Sequence, residues 1–314
     1  MPPEIVDSVT HALAASSLFL AAGQPHLVPF AALGSVAMDI DILLMRFPER
    51  NPRYYVFTHG GFTHSIAGAL LIGSLVFAAV SAFTLAGPGA WLFGAGVTLP
   101  GLLALLTGSL THVFSDFLAY PGIPVLYPFT DRKYTAGIFA GPSLFLLVVS
   151  WTYLVTLLLS LTTLAQYRTW AMIFVGYVGI KALLKIFLTA TTDGATIPTK
   201  NPLHWFVIRD EGGSYSIQFR NLLSGLTEPR TFPKFQNVSP AEVEQYRDLP
   251  EVRRHRYNSY ITTVEKNGDT ITFRDPFRTE GFTRYPFSHA TVDVLSGKEV
   301  PTGSKTNGRL AEDR

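Results

Sequence analysis

The chain has 314 residues, with 25 Lys and Arg against 23 Asp and Glu and a formal net charge of +2, a balance that carries no footprint for nucleic acid or for a strongly acidic partner. Charged residues make up only 15% of it and hydrophobic residues 47%, and it has no cysteine, which excludes a disulfide framework and any thiolate metal site. A metal in this protein has to be held by His, Asp, Glu or backbone oxygen.

These averages hide a break near residue 190. Before it, long apolar stretches carry very few charges; after it, Arg, Lys, Asp and Glu recur every few residues. The first composition suits a bilayer rather than a soluble core. The expected organisation is a mainly α, multi-pass membrane helical bundle over residues 1–190, followed by a soluble β-rich domain over 191–314.

Six apolar segments are read in the first part: Ala12–Ala22, about Leu27–Met45, Ser65–Ala86, Leu92–Leu118, Ile138–Leu164 and Trp170–Leu188. The first resembles a signal-peptide core in length, but Glu4 and Asp7 precede it where Lys or Arg would be needed, so it is expected to be retained. A spanning helix needs roughly 20 apolar residues, which the third to sixth segments meet. The first two suggest a hairpin around Gln24–Pro25–His26. If every segment crosses, loops 46–64 and 119–137 and the C-terminal tail share one side. Those loops hold Arg46, Arg50, Arg53, Arg132 and Lys133, and the opposite loops hold only Arg168. The excess of positive charge places the shared side in the cytoplasm. Lys181 and Lys185, near the end of the sixth segment, are expected to snorkel toward water.

In the tail, Trp205–Asp210 and Ser214–Arg220 flank Glu211–Gly212–Gly213 as a hairpin, and Tyr257–Glu265 and Thr270–Asp275 flank Asn267–Gly268 as another. Ser239–Pro240–Ala241–Glu242 has the form of a helix start, with a stop near Leu249–Pro250. Ala290–Leu295 before Ser296–Gly297 suggests a strand and turn, and Thr302–Arg314 a frayed end.

His11, Asp39, Asp41, His59, His64, His112 and Asp116 are all costly beside hydrocarbon. Parity of the crossings puts the seven at one end of the bundle. His112 and Asp116 lie one turn apart on one helical face, about 40° around the axis. Asp39 and Asp41, two apart, point to nearly opposite faces of a regular helix, so both bind metal only if the helix frays or unwinds there, or if they serve different ions. Thr10, Thr58, Thr63 and Thr111 each precede one of the histidines and are candidate supporting donors. An all-His/Asp set suits zinc, with manganese or iron as alternatives, as one or two divalent ions. The plainer reading of any one such histidine is a hydrogen bond between helices, and of an aspartate at a helix end an interfacial position. His26, His204, His255 and His289 lack metal spacing and read as surface or structural.

At these residues the sequence resembles a known family. Ser8-Val9-Thr10-His11, Met38-Asp39-Ile40-Asp41, His59-Gly60-Gly61-Phe62-Thr63-His64-Ser65 and Thr111-His112-Val113-Phe114-Ser115-Asp116 are similar to the successive motifs of the YdjM-type family, and Tyr120–Pro128 to the Gly/Pro segment that follows them. The resemblance covers roughly residues 7–190. It implies LexA-binding, inner-membrane-associated, metal-dependent hydrolases. Gly60 stands where the family often has Arg, which removes a cation available to a phosphate, and Met38 stands where it often has Pro. The His/Asp usage is also reminiscent of zinc-dependent phospholipase C, an analogy that implies no shared substrate.

The expected function is a hydrolase at the cytoplasmic membrane face, acting on a lipid-like or membrane-proximal ester, most plausibly a phosphoester. His11, Asp39, His64, His112 and Asp116 hold metal in that reading, with Asp41 or His59 as a further ligand or general base. The first rival is a non-enzymatic membrane protein with a structural metal and a tail that docks a protein partner. The second is a metal or proton transporter, which would need polar residues continuing to the opposite face; the fifth and sixth segments offer almost none.

Overall fold

The computed structural model describes residues 7–94, 97–282, 289–295 and 298–300. The chain is mostly helical with a C-terminal β-sheet region. Three helical runs are long and apolar enough to cross a membrane: Pro25–Arg50, Ile66–Leu85 and Leu164–Thr191. Two shorter apolar helices, Ser8–Ala21 and Leu144–Leu158, accompany them.

Two of the expected spans are corrected by this result. The fourth segment forms the 19-residue helix Leu99–Phe117, whose second half carries Thr107, Ser109, Thr111, His112, Ser115 and Asp116 and so falls outside the long apolar set. The fifth segment yields only the 15 residues Leu144–Leu158. Gly141 at φ 122° and Pro142 hold its beginning out of helix, the Ser143 hydroxyl caps the start by accepting from Leu146 N, and Ser160 at φ 57° ends it.

Close helix crossings place the polar ends together. A Cβ on Gly34 would lie 2.0 Å from Leu105 O, and one on Gly108 would lie 2.0 Å from Ala31 O, so the backbones of Val28–Val36 and Leu99–Phe117 touch at two reciprocal points. Small residues permit this approach, and packing rather than hydrophobic transfer drives helix association in lipid. Ser109 Oγ donates to Gly34 O at 3.0 Å across the same contact. A second polar seam joins the first, fifth and last helices: Thr10 Oγ1 and Ser150 Oγ are 2.7 Å apart, and Trp170 Nε1 donates to Ser150 Oγ at 3.1 Å. Between the spans, Val125 O accepts from Ile66 N at 3.1 Å, which ties the Tyr120–Pro128 segment to the start of the third apolar helix.

By contacts the chain divides into two compact units, 1–209 with 216–230, and 210–215 with 231–314. The composition break at residue 190 coincides instead with the end of the Tyr167–Thr191 helix. In the first unit, Ala195–Pro198 pairs antiparallel with His204–Asp210, which neighbours Ser214–Asn221 around the expected Glu211–Gly212–Gly213 turn. Lys181 and Lys185 do not snorkel. Lys181 is 4% exposed with its Nζ 5.2 Å from the Trp205 ring, and Lys185 Nζ donates to the carbonyl and hydroxyl of Thr196. Cation–π and carbonyl partners inside the protein outcompete the solvated alternative.

The second unit contains the Asn267–Gly268 hairpin, with Thr263–Asn267 antiparallel to Thr270–Arg274 and Gly268 at φ 58°. Ser239 caps the short helix Pro240–Glu244 by accepting from Glu242 N at 3.2 Å. The expected strand from Tyr257 is corrected: Pro250–Asn258 is a second helix with Pro at its first position, and the strand begins at Thr263. Val243, Tyr246, Val252, Val264, Ile271, Phe273 and Val292 form the core of this unit. The His289–Asp293 strand is present; the turn at Ser296–Gly297 and the segment Thr302–Arg314 lie outside the described residues.

Candidate metal centre

Four chain segments bring the seven polar residues together. His11 stands in the first turns of Ser8–Ala21, whose N-cap is the Asp7 side chain accepting from Thr10 N. Asp39 and Asp41 lie in Ala37–Leu44, which is 3-10 helix rather than α-helix. At three residues per turn Asp39 and Asp41 point about 120° apart rather than the roughly 160° of an α-helix, so the two carboxylates reach different parts of the cluster. His59 and His64 flank a tight turn in which Gly60 adopts φ 70° and a Cβ on Gly61 would sit 2.0 Å from Val56 O. His112 and Asp116 occupy the last turns of Leu99–Phe117.

The donor atoms converge on one point. His64 Nε2 is 3.1 Å from His112 Nε2, 3.0 Å from Asp116 Oδ2 and 4.0 Å from Asp39 Oδ1. His112 Nε2 is 3.4 Å from Asp116 Oδ2 and 3.5 Å from Asp39 Oδ1. The other oxygen of Asp116 lies 3.4 Å from His11 Nε2, and the His11 and His112 rings are 4.3 Å apart. Asp116 thereby faces two groups of histidines, one with each oxygen.

Asp41 has a different task. Its carboxylate accepts from His59 Nδ1 at 2.9 Å, Gly60 N at 3.2 Å and Thr63 Oγ1 at 2.7 Å, and His64 Nδ1 lies 3.1 Å away. The Nδ1 edge of His59 faces Asp41 and that of His64 faces Asp41 and Thr63, so both rings turn their Nε2 edge away from that carboxylate. An outer carboxylate fixing ring orientation in this way is the usual companion of a histidine metal ligand. The expectation for the threonines holds only for Thr63: Thr10 turns to Ser150, Thr58 to Tyr55 O and Thr111 to Thr107 O, each a helix or turn contact. Sequence reading gave Ser8 no role, yet its Oγ donates to Asp39 Oδ2 at 2.5 Å. Its position three residues before His11 on one helical face was the available signal.

The donors suit a divalent ion. Ligands of one small divalent ion stand roughly 3.3 Å apart, which the His64, His112 and Asp116 atoms match at 3.0–3.4 Å, while Asp39 Oδ1 lies 3.5 Å from His112 and 4.0 Å from His64. Asp39 Oδ1 is buried with no hydrogen-bond partner among the described residues, which is costly for a carboxylate unless a cation faces it. Burial alone would lower the His64 imidazole, but hydrogen bonds and charge from Asp116 and Asp41 outweigh it and hold the group up to about 10. The carboxylates therefore draw positive charge to this point. His11, His112 and Asp116, and separately Asp39, His59 and His64, each form a set able to hold an ion. Access comes from one side, since His64 is wholly buried while the Asp116 and His59 side chains are 25% and 27% exposed. His26 is exposed, His204 bonds Asn221 and His255 bonds Ser259, so none of the three joins the centre.

Apolar helices long enough to cross a bilayer, with a buried His/Asp cluster where four segments meet, define a helical integral membrane protein. The profile of the family described as YdjM inner membrane protein matches residues 6–190, and the chain belongs to that family. It is 32% identical over 108 residues to inner membrane protein YdjM of Escherichia coli (strain K12), covering 33% of this chain and 50% of that protein. The Shigella flexneri protein of the same name gives the same identity and coverage. The chain thus spans about half the length of the curated relatives it matches. No solved structure matches.

Proposed function

We propose that this protein is a membrane-bound hydrolase that uses one or two divalent ions, zinc foremost, on a lipid-like phosphoester at the cytoplasmic membrane face. The observation that carries the reading is the trio His64 Nε2, His112 Nε2 and Asp116 Oδ2, 3.0–3.4 Å apart as ligands of one ion are spaced, with Asp39 Oδ1 3.5 Å from His112. An ion held there supplies Lewis-acid activation of water and of a phosphoryl oxygen. His11 adds a donor beside the outer oxygen of Asp116. Asp41 orients His64 and His59 without needing to reach the ion. His59, part-exposed and anchored through Nδ1, keeps Nε2 free to take or give a proton at the substrate. The cytoplasmic orientation rests on the Arg and Lys bias of loops 46–64 and 119–137, taken to share one side with the tail.

The deep burial of His64 and His112 favours a second reading, a closed structural metal in a non-enzymatic protein whose soluble part docks a partner. Zinc-loaded full-length protein assayed on bis(4-nitrophenyl) phosphate and on a short-chain phospholipid separates the two. His59→Ala is expected to keep the ion held by His64, His112 and Asp116 and lose about 10²–10⁴-fold in turnover. Metal-loaded protein inert toward both esters would favour the structural reading.

A further inference from the structure

Beside the metal centre, the loops between the spans expose apolar and cationic side chains together. Phe47, Tyr54, Phe57, Phe62 and Tyr127 form an unbroken edge-to-face series, with successive ring centroids 6.3, 6.2, 6.0 and 5.8 Å apart. Its fourth ring, Phe62, stands two residues before His64. Leu43 and Phe129 flank it, 73% and 94% exposed. The Tyr55 hydroxyl donates to Asp131 Oδ2 at 2.6 Å, fastening the 46–57 stretch to the segment that carries Phe129. Arg46, Arg50, Arg53 and Arg132 are exposed, and none has a salt bridge among the described residues. Of the nearby acids, Asp131 is engaged by Tyr55, which leaves Glu49 as the acid among these cations.

Chain order fixes where this surface lies. The Pro25–Arg50 run ends in it and Ile66–Leu85 begins just after it, so two apolar runs enter hydrocarbon from either side. Aromatic side chains concentrate at such boundaries because one edge of the ring is apolar and the other tolerates water. Four guanidinium groups against the single Glu49 select for net negative charge, and guanidinium matches the geometry of a phosphate.

We infer that this aromatic and cationic collar binds the headgroups of anionic phospholipids and presents them to the metal centre. An anionic phospholipid of the adjoining leaflet is then the substrate class. The inference depends on the hydrolase reading for the lipid's fate but not for its binding. The binding surface supplies the cations that Gly60 does not, from loops rather than from the ligand motif. Its occupant is lipid rather than a protein partner because the collar is continuous with both apolar runs and with the centre.

The test uses full-length protein in lipid nanodiscs. The chain has no cysteine, so a Leu126→Cys variant takes a single fluorophore within the collar. Quenching by brominated phosphatidylglycerol is compared with quenching by brominated phosphatidylcholine. A preference for the anionic lipid of at least about fivefold is expected, the factor one interfacial cation supplies. Adding Arg46→Gln, Arg50→Gln and Arg53→Gln should reduce the ratio toward one while metal content stays unchanged. Equal quenching by both lipids would overturn the inference, and so would absence of quenching, which would mean that protein covers the collar. Either result with metal and turnover intact would leave the hydrolase reading standing; a retained preference with no turnover would sink that reading alone.

Discussion

His64 and His112, 48 residues apart in the chain, face one another with their Nε2 atoms 3.1 Å apart in the buried interior of the bundle. Two imidazole nitrogens at that distance compete for one proton, whereas a cation between them satisfies both. Asp116 and Asp39 approach the same two nitrogens, and Asp41 holds the His64 ring from behind.

Asp41 provides the first prediction. Asp41→Asn keeps the shape but removes the charge that receives His59, Gly60 and Thr63. Metal affinity should fall about 10–100-fold, the usual cost of losing an orienting carboxylate. Competition titration against a chromogenic chelator measures this; unchanged affinity would remove Asp41 from the centre.

The helix crossing provides the second. Gly34→Ala drives a methyl into Leu105 O, so the second and fourth segments must separate. A loss of about 1–3 kcal/mol is expected, with lower metal occupancy because Asp39 moves away from His112. Gly176→Ala, where a Cβ meets nothing within 4 Å, should be neutral or stabilising by up to about 1 kcal/mol. Thermal unfolding in detergent compares them; equal behaviour would show that the crossing is not close-packed.

Much of this cluster is legible in the sequence. Polar side chains at the ends of apolar runs, taken with the parity of the crossings, were enough to gather His11, His64, His112 and Asp116. The state of the backbone was not legible. No composition rule marks Ala37–Leu44 as 3-10 helix, and that geometry is what lets Asp39 and Asp41 serve neighbouring tasks. The short fifth helix was hidden because apolar content continues through Ile138 and Leu164 while Gly141 and Ser160 interrupt the backbone. Lys181 and Lys185 were misread for a tertiary reason: their partners, Trp205 and Thr196, follow later in the chain. In the second unit Asn267–Gly268 announced its hairpin, whereas Pro250 was read as a helix stop and is a helix start.

Orientation provides the third prediction. Cysteine placed singly at Arg53 or at Asp269 should react with a membrane-impermeant maleimide only after the cytoplasmic face is exposed. Labelling of the two from opposite sides of the membrane would show that loop 46–64 and the tail do not share a side.

The fourth concerns the tail. Ile197, Trp205, Val207 and Ile217 are buried in the first compact unit, so a chain ending at Arg230 keeps that core, whereas one ending at Asp193 loses it. The longer truncate should insert and hold full metal, with any change confined to turnover or substrate preference. Trp205→Ala should cost about 3–5 kcal/mol without changing metal stoichiometry. Loss of metal from the Arg230 truncate would mean that a ligand lies downstream.

Metal analysis of detergent-purified protein, prepared without chelator and set beside a His64→Ala, His112→Ala double variant, tests the centre most directly. About one or two divalent ions per wild-type chain are expected, with the double variant near zero and a His255→Ala control unchanged. Metal-free wild-type protein, or equal metal in the wild type and the double variant, would contradict the assignment of His64, His112, Asp39 and Asp116 as ligands.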